Sequence, residues 1–400
     1  MSCRVRILIL APHPFFQPRG TPIAVRQVLE FLSSRGHQLD LLTFHEGENL
    51  AIPNCRIHRI ARPPWIRNVR AGFSLKKVVC DVFMFVKSIR MVRRNRYDLI
   101  HAVEESAFIA AAMQRLAGIP YVYDMDSSLA EQLVDAYPQL HFAFSTLRRC
   151  EAIAVRNSLG VLTVCAALED VAHRHAPDKP IGRVEDSTLL EPEPPRFGNG
   201  QRGNGVLPGV DPQSPVVMYA GNLSDYQGIG LLLEGFRHAL IRVPNAHLVI
   251  VGGLEKDIAH YGRRALRLGI EGQVHFLGPR PVAALEGLFR RADVLVSPRI
   301  RGLNTPMKIY SYLDSGTAVL ATRLRTHTQV LDDQTAYLVP PEPEALGNGL
   351  AELLKDPSLR ERLASQAKAY VQQEFTPEAA ERKLSSFYSM MESRASGAAS

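Results

Sequence analysis

The sequence lacks the features that mark disulfide-rich, metal-binding and membrane-spanning proteins. Its five cysteines are an odd number, and no two have the spacing of a zinc or redox motif. This favours free thiols in a reducing compartment. No apolar run reaches the roughly 20 residues of a membrane span, and Pro12 and Pro14 end the first run at strand length, unlike a signal peptide. We expect a cytoplasmic protein, with peripheral contact to the inner face of the membrane left open.

No lysine- and arginine-rich stripe with interleaved aromatic residues is present, so nucleic acid is not an expected partner. The net charge of +7 indicates an anionic partner, either a phosphorylated ligand or a membrane surface. The only tryptophan, Trp65, lies in a basic, proline-containing segment before an amphipathic helix predicted over residues 73–92. Its basic residues either contact anionic lipid or form the solvated face of a core-packed helix; they are Lys76, Lys77, Lys87, Arg90, Arg93 and Arg94.

Apolar runs of strand length alternate with amphipathic helical segments along the whole chain, which predicts an α/β fold. Four hundred residues exceed the size of one hydrophobic core, about 250 residues. The proline- and glycine-rich segment 191–215 predicts a flexible linker between domains at 1–190 and 216–375. Residues 376–400 are expected to form a last helix, with a crossing back left open, and a disordered tail. Two doubly wound, Rossmann-like domains would then face each other across a cleft.

The stretch 292–322 predicts an anion site in the second domain. A strand over 293–297 leads into a basic loop, and Thr305 with Pro306 resembles a helix start that ends at Gly316. A helix N-terminus offers free N–H groups and a favourable dipole to an anion. The groups expected to face the anion are those of Arg299, Arg301, Leu303, Asn304, Thr305 and Lys308.

Polar residues follow three predicted strands of the first domain. Gly20 and Thr21 lie in the loop after the first strand, where they either approach a ligand through the backbone or only permit a turn. His101 belongs to a later strand and is either a candidate base or a packed core histidine. Asp124 and Asp126 form an Asp-x-Asp pattern, which is consistent with proton acceptance, a metal site or helix capping.

Several segments together resemble the family 4 (group 1) glycosyltransferases, which have the GT-B architecture of two facing Rossmann-like domains. They are ILILAPHPFFQPRGTPIAVRQVLEFLSSRGHQLDLLT, YDLIHA, YAGNLSDYQGIGLLLEGF, HLVIVGG, VHFLGPRP and the stretch 292–322. The resemblance implies that the second domain binds a nucleotide-sugar donor and the first an acceptor. It implies that Gly221, Asn222 and Gln227 lie on the diphosphate loop, where relatives carry basic residues at the last two positions. The family's pair of glutamates would fall at Leu303 and Ser311, and both are missing.

The resemblance implies a nucleotide-sugar-dependent hexosyltransferase that acts with retention and without a metal or other cofactor. Its partners would be a nucleotide-diphosphate sugar and an unknown glycan or lipid-linked acceptor. A noncatalytic sugar-nucleotide or glycan-binding module and a nucleotide-sugar epimerase are the alternatives. Asp126, Asp124 and His101 are the catalytic candidates. The donor-binding candidates are Lys308, Arg299, Gly221, Asn222, Gln227, Leu303, Asn304, Thr305, Gly20 and Thr21.

Overall fold

The computed structural model describes residues 4–17, 20–69, 74–136, 142, 144–190, 207 and 209–397. Most of the predicted linker, residues 191–206 and 208, lies outside the described residues, as does Phe73. The chain divides into two compact units. The first unit comprises Met1–Glu185 and Ala380–Ser400, and the second comprises Asp186–Ala379.

The first unit contains a seven-stranded sheet in which all strands are parallel. The spatial order is third, second, first, fourth, fifth, sixth and seventh strand. Its inner strands are buried on both faces, as expected where helices cover both sides of a parallel sheet. The seven strands are β1 (Arg6–Ala11), β2 (Gln38–Thr43), β3 (Cys55–Arg59), β4 (Leu99–Val103), β5 (Tyr121–Met125), β6 (Gly160–Thr163) and β7 (Ile181–Arg183).

Seven helices accompany this sheet in the described residues. They are α1 (Gly20–Ser34), α2 (Leu75–Arg94), α3 (Ser106–Ala117), α4 (Leu129–Ala136), α5 (Phe144–Asn157), α6 (Ala166–His175) and, at the end of the chain, α14 (Pro377–Gly397). Phe387, Tyr388 and Met391 of α14 are buried in the same core cluster as residues of β1 and β2.

The second unit contains a six-stranded parallel sheet. Its strands are β8 (Val216–Ala220), β9 (His247–Val251), β10 (Val274–Gly278), β11 (Val294–Ser297), β12 (Ala318–Thr322) and β13 (Tyr337–Val339). Their spatial order is β10-β9-β8-β11-β12-β13. The helices are α7 (Ile229–Leu240), α8 (Glu255–Leu268), α9 (Val282–Arg291), α10 (Lys308–Asp314), α11 (Arg325–Thr328), α12 (Pro343–Lys355) and α13 (Pro357–Glu374).

The predicted α/β fold with two doubly wound domains is confirmed. Two helices, α4 and α5, lie between β5 and β6. The sequence analysis missed α8 and α11. The helix α14 continues to Gly397, where a disordered tail was expected. Of the helices in the described part of the chain, none combines the length and apolar character that a membrane span requires.

Candidate functional site

The order of strands in the second unit reverses at β8, whose two neighbours are β9 and β11. The connections that leave the carboxyl ends of β8 and β11 therefore run to opposite sides of the sheet and open a crevice between them. Ligands of doubly wound sheets bind in such a crevice. Two loops border it here, residues 221–228 after β8 and residues 298–307 after β11.

Two glycines let these loops approach each other closely. Gly221 has φ +148°, and a Cβ atom there would lie 2.7 Å from Nζ of Lys308. Gly228 has φ +75°, and a Cβ atom there would overlap the carbonyl of Pro298. Because L-residues with side chains rarely adopt these angles, both positions favour glycine. A larger residue at either position would push the loops apart.

Lys308 is the cation at the centre of the crevice. Its Nζ atom lies 3.8 Å from the centroid of the Tyr219 ring and donates to Oε1 of Gln227 at 3.1 Å. Burial, and secondarily the charge of Arg299, lowers the pKa of Lys308 well below its ordinary value. No carboxylate in the described ranges forms an ion pair with it. The structure thus brings together Lys308, Gly221 and Gln227, three of the donor-binding candidates, and Lys308 is half-buried.

Tyr219, which the sequence analysis missed, also fixes the loop after β8. Its hydroxyl donates to the carbonyl of Asn222 at 2.6 Å, and Oδ1 of Asn222 accepts from the N–H of Ser224 at 3.2 Å. The Asn222 side chain therefore stabilises the turn of its own loop. The only available signal for Tyr219 was its place at the end of a buried strand directly before the loop.

Arg299 has a structural position that differs from the expected one. It is only 7% exposed, and its Nη1 donates to the carbonyl of Asn304 at 2.7 Å and to Oγ1 of Thr326 at 2.8 Å. Its guanidinium also lies 5.0 Å from the centroid of the Tyr226 ring. Burial lowers the pKa of Arg299. Arg299 thus turns inward and holds the loop, whereas Arg301 is exposed.

The helix after this loop begins later than predicted. It starts at Lys308, with Met307 at the N-cap and no side-chain cap, so the expected capping by Thr305 is wrong. The reason is that Arg299 and Thr326 both donate to the carbonyl of Asn304 and draw the preceding loop inward.

Three backbone N–H groups, those of Leu303, Asn304 and Thr305, donate to no other described residue. The carbonyl of Leu303 accepts from Nε2 of Gln329 at 3.0 Å. Thr305 is 5% exposed, and its hydroxyl has no hydrogen-bond partner in the part of the chain that the structure describes. These donors remain available for a ligand.

A buried histidine that the sequence analysis did not identify, His327, lies beneath the loop 298–307. Nε2 of His327 lies 2.9 Å from Oγ of Ser297, and its Nδ1 lies 2.8 Å from the carbonyl of Thr322. Burial lowers the pKa of His327 to about 4, and the charges of Arg299 and Lys308 add to this shift. The neutral imidazole links the ends of β11 and β12 without adding charge beneath Lys308.

In the first unit, His101 and Asp124 are in direct contact, as parts of a buried chain of three side chains. Nε2 of His101 lies 2.9 Å from Oδ2 of Asp124, and its Nδ1 lies 2.6 Å from the hydroxyl of Tyr388. His101 is fully buried and Asp124 is 3% exposed. His101 therefore matches the packed core histidine that the sequence left open. Tyr388, on α14, was missed because it is distant in sequence.

A second buried group lies at the end of β4. Nζ of Lys77 forms ion pairs with Glu104 at 3.0 Å and with Glu105 at 2.7 Å. Although burial lowers the pKa of Lys77, the two glutamates raise it above its ordinary value. Burial raises the pKa of Glu105 to about 7 and that of Asp81 to about 8. Lys77 is thus a core residue of α2, in contrast to the expected basic face.

The remaining candidates of the first unit occupy separate places. Asp126 is 7% exposed and follows β5. Gly20 and Thr21 form the first turn of α1, which begins at Gly20, and so do not lie in the loop after the first strand where they were expected. The ranges that the structure describes contain no group of three or more histidine, cysteine or acidic residues arranged to hold a metal ion.

Comparisons with known proteins agree with this arrangement. The model for "Glycosyl transferases group 1" matches residues 208–370, and the model for "Glycosyl transferase 4-like domain" matches residues 19–182. The chain is 26% identical to the D-inositol 3-phosphate glycosyltransferase of Corynebacterium efficiens, over 96% of this chain and 95% of that protein.

It is 25% identical to the phosphatidyl-myo-inositol mannosyltransferase of Mycobacterium tuberculosis, over 92% of both chains. The fold is similar to that of Anabaena HepE, solved in complex with UDP-glucose, with a TM-score of 0.70, 18% identity and coverage of 96% of this chain and all of that chain. The chain therefore belongs to the family 4 (group 1) glycosyltransferases and is a nucleotide-sugar-dependent glycosyltransferase of GT-B fold.

Proposed function

We propose that the crevice of the second unit binds the diphosphate of a nucleotide-sugar and that the enzyme transfers a hexose with retention, without a metal ion. The observation that carries this proposal is the half-buried ammonium of Lys308, which pairs with no carboxylate among the described residues and lies against Gly221. The N–H groups of Leu303, Asn304 and Thr305, which donate to no described residue, add donors to the same loop.

The diphosphate becomes more negative as its bond to the sugar breaks, so donors placed in advance stabilise the transition state. A charge-assisted hydrogen bond contributes roughly 1.5–3 kcal/mol, or about 10- to 150-fold in affinity. Lys308 can supply one such bond. In relatives, basic residues at positions 222 and 227 contact the diphosphate. This chain has Asn222 and Gln227 there, and Lys308 makes the charged contact instead.

The acceptor is proposed to be a glycan or a lipid-linked molecule that binds to the first unit. The departing phosphate oxygen can accept the proton of the acceptor hydroxyl. The reaction is therefore possible although Leu303 and Ser311 stand where the family has its pair of glutamates. Of the catalytic candidates, Asp126 and Asp124 are the carboxylates near the end of β5 that could orient acceptor hydroxyls. His101 would act only through Asp124, because it is fully buried.

We propose a cytoplasmic enzyme that contacts the membrane peripherally. The curated relative from Mycobacterium tuberculosis is named for a lipid acceptor, phosphatidyl-myo-inositol, and the HepE structure holds UDP-glucose. These names support a lipid-linked acceptor and a uridine nucleotide as the first acceptor and donor to test.

The test is release of nucleoside diphosphate from a panel of UDP- and GDP-sugars, with and without candidate acceptors and with a chelator present. We expect turnover that the chelator leaves unchanged and that Lys308→Met reduces at least about tenfold. Lys355→Met, on the exposed end of α12, is the matched control and should retain full activity.

Nucleotide binding without transfer to any acceptor would support a noncatalytic module, and interconversion of donor sugars would support an epimerase. Loss of turnover in chelator would instead favour Asp124 and Asp126 as metal ligands.

A further inference from the structure

The outward face of α2 carries an apolar stripe followed by a basic one. Exposed residues recur at intervals of three and four positions, which places them along one side of the helix. Over the first three turns they are apolar, with exposed fractions from 41% to 79%. Over the last turns they are basic. In order they are Leu75, Val79, Val82, Val86, Arg90 and Arg93.

The opposite face of α2 packs into the first unit, so the outward apolar residues are not needed to anchor the helix. The buried residues of the helix are Lys77, Cys80, Met84, Ser88 and Met91. A surface helix normally has polar residues on its solvent side. Four aliphatic side chains in one line on the solvent side form a second apolar surface, which the described residues leave exposed.

Trp65 extends this surface in the loop before α2. Its side chain is 96% exposed and its φ is +60°, an unusual and strained angle for a bulky residue. The loop is nevertheless fixed, because the carboxylate of Glu46 accepts from the N–H groups of Asn68 and Val69 at 2.7 and 2.9 Å. Nζ of Lys76 donates to the carbonyl of Arg67 at 3.0 Å and joins the loop to the helix. The fold thus holds an indole in solvent.

The charge of this surface has one sign. Six exposed basic side chains lie in the loop 61–69 and on α2, and no exposed acidic side chain lies in these two described segments; the six are Arg62, Arg67, Lys76, Arg90, Arg93 and Arg94. An anionic lipid surface offers both an apolar layer and negative charge, and tryptophan favours the interface between lipid and water. A soluble protein partner would have to supply the same combination.

We propose that Trp65 and the outward face of α2 form the surface by which this enzyme docks on an anionic lipid bilayer. The inference deepens the proposed function, because it rests on the lipid-linked acceptor proposed above. Leu75, Val79, Val82 and Val86 enter the region between headgroups and acyl chains, while the six basic side chains contact lipid phosphates. Each basic residue near an anionic membrane contributes about fivefold to binding.

Trp65 is the only tryptophan of the chain, so its fluorescence reports on this surface without a label. We expect its emission to shift to shorter wavelength when the full-length protein meets vesicles of phosphatidylcholine with anionic phosphatidylglycerol. Lipids brominated on the acyl chain should quench it, and added salt should reverse the effect. Unchanged emission with anionic vesicles at low salt would overturn the proposal, as would equal binding to pure phosphatidylcholine.

Matched variants separate this surface from general charge and hydrophobicity. Val82→Asp and the pair Arg90→Glu with Arg93→Glu should each reduce sedimentation with anionic vesicles, the pair by about 25-fold or more. Leu266→Asp and the pair Arg263→Glu with Arg267→Glu make the same changes on the exposed face of α8 in the second unit and should have little effect. Equal loss in both sets would overturn the proposal.

Two further measurements distinguish the possible failures. UDP binding should be unchanged in all of these variants. It reports on the donor site, whereas sedimentation with vesicles reports on docking, so the two losses are measured separately. Analytical ultracentrifugation without lipid should show a monomer; a dimer that Val82→Asp abolishes would show that a second copy covers this face, contrary to the proposal.

Discussion

Nζ of Lys308 lies 3.8 Å from the centroid of the Tyr219 ring, and its one side-chain acceptor among the residues that the structure describes is the neutral amide of Gln227. The ring face and the amide stabilise an ammonium only partly, since neither carries a full negative charge. Burial lowers the pKa of Lys308 for this reason. A bound diphosphate would supply the missing charge and raise that pKa again.

Nucleotide binding should therefore take up a proton at pH values above the pKa of Lys308 in the free enzyme. We expect the apparent affinity for UDP to fall as pH rises through this range, because binding then requires protonation of Lys308. Calorimetry in two buffers with different ionisation enthalpies measures the uptake directly. Lys308→Met should remove it and weaken binding at least about tenfold. Identical heats for the wild type in both buffers across pH 7–10 would contradict this assignment.

Arg299 should differ from Lys308 in what its removal affects. Arg299→Ala deletes the hydrogen bonds to Asn304 and Thr326 and leaves a cavity, so we expect a loss of about 3 kcal/mol in the free energy of unfolding. UDP binding should weaken with it, because the loop loses its support. Lys308→Ala should weaken binding at nearly unchanged stability.

Urea-induced unfolding with and without UDP tests this separation. Arg301→Ala is the control, because Arg301 is exposed and should change stability by less than about 0.5 kcal/mol. An Arg299→Ala protein of wild-type stability with weakened UDP binding would show that its guanidinium faces the ligand after all.

The sequence predicted the strands and most of the helices because buried parallel strands and amphipathic helices have strong periodicities. Through the family resemblance it also assigned Gly221, Gln227 and Lys308 to one donor site. It did not predict the direction of Arg299, which depends on Thr326, 27 positions further along the chain. A basic residue in a loop has the same local pattern whether it faces a ligand or holds a backbone carbonyl.

The ion-pair partners of Lys77 were equally hidden from the sequence. Lys77 lies on the same helical face as Cys80 and Met84, which is a core position. Its partners Glu104 and Glu105 follow β4, 27 and 28 positions further along the chain, and only the fold brings the three charges together. Tyr388 and His101 are 287 positions apart and show the same limit.

The stability of the second unit should decrease as the pH falls from about 6.5 to about 4, through the protonation of His327. Burial lowers the pKa of this histidine to about 4 in the folded chain, whereas the unfolded chain binds the proton at about 6.5. Between these values the unfolded state holds more protons, so acid favours unfolding. The full effect is on the order of 3 kcal/mol.

Urea unfolding of wild type and His327→Gln between pH 4 and 8 measures this contribution. The variant should be less stable at pH 8, because glutamine cannot reproduce the bonds to Ser297 and Thr322. Its stability should nevertheless depend less on pH. Parallel curves for the two proteins would show that His327 does not titrate in this range.

Tyr388 should stabilise the first unit through its bond to His101. The hydroxyl of Tyr388 lies 2.6 Å from Nδ1 of His101 and donates to it when the ring carries its proton on Nε2. The Nε2–H of His101 can then donate to Asp124. Tyr388→Phe keeps the ring but leaves a buried nitrogen unsatisfied, which costs about 1–3 kcal/mol.

Tyr337→Phe is the matched control for this substitution. The hydroxyl of Tyr337 donates to Glu352 at an exposed position, where water can replace the lost bond, so we expect a loss below about 1 kcal/mol. Hydrogen exchange of the α14 amides should accelerate in Tyr388→Phe and stay unchanged in Tyr337→Phe, because only Tyr388 joins this helix to the buried histidine of β4. Equal stability and exchange in the two variants would show that the chain from Asp124 through His101 to Tyr388 does not hold α14 in place.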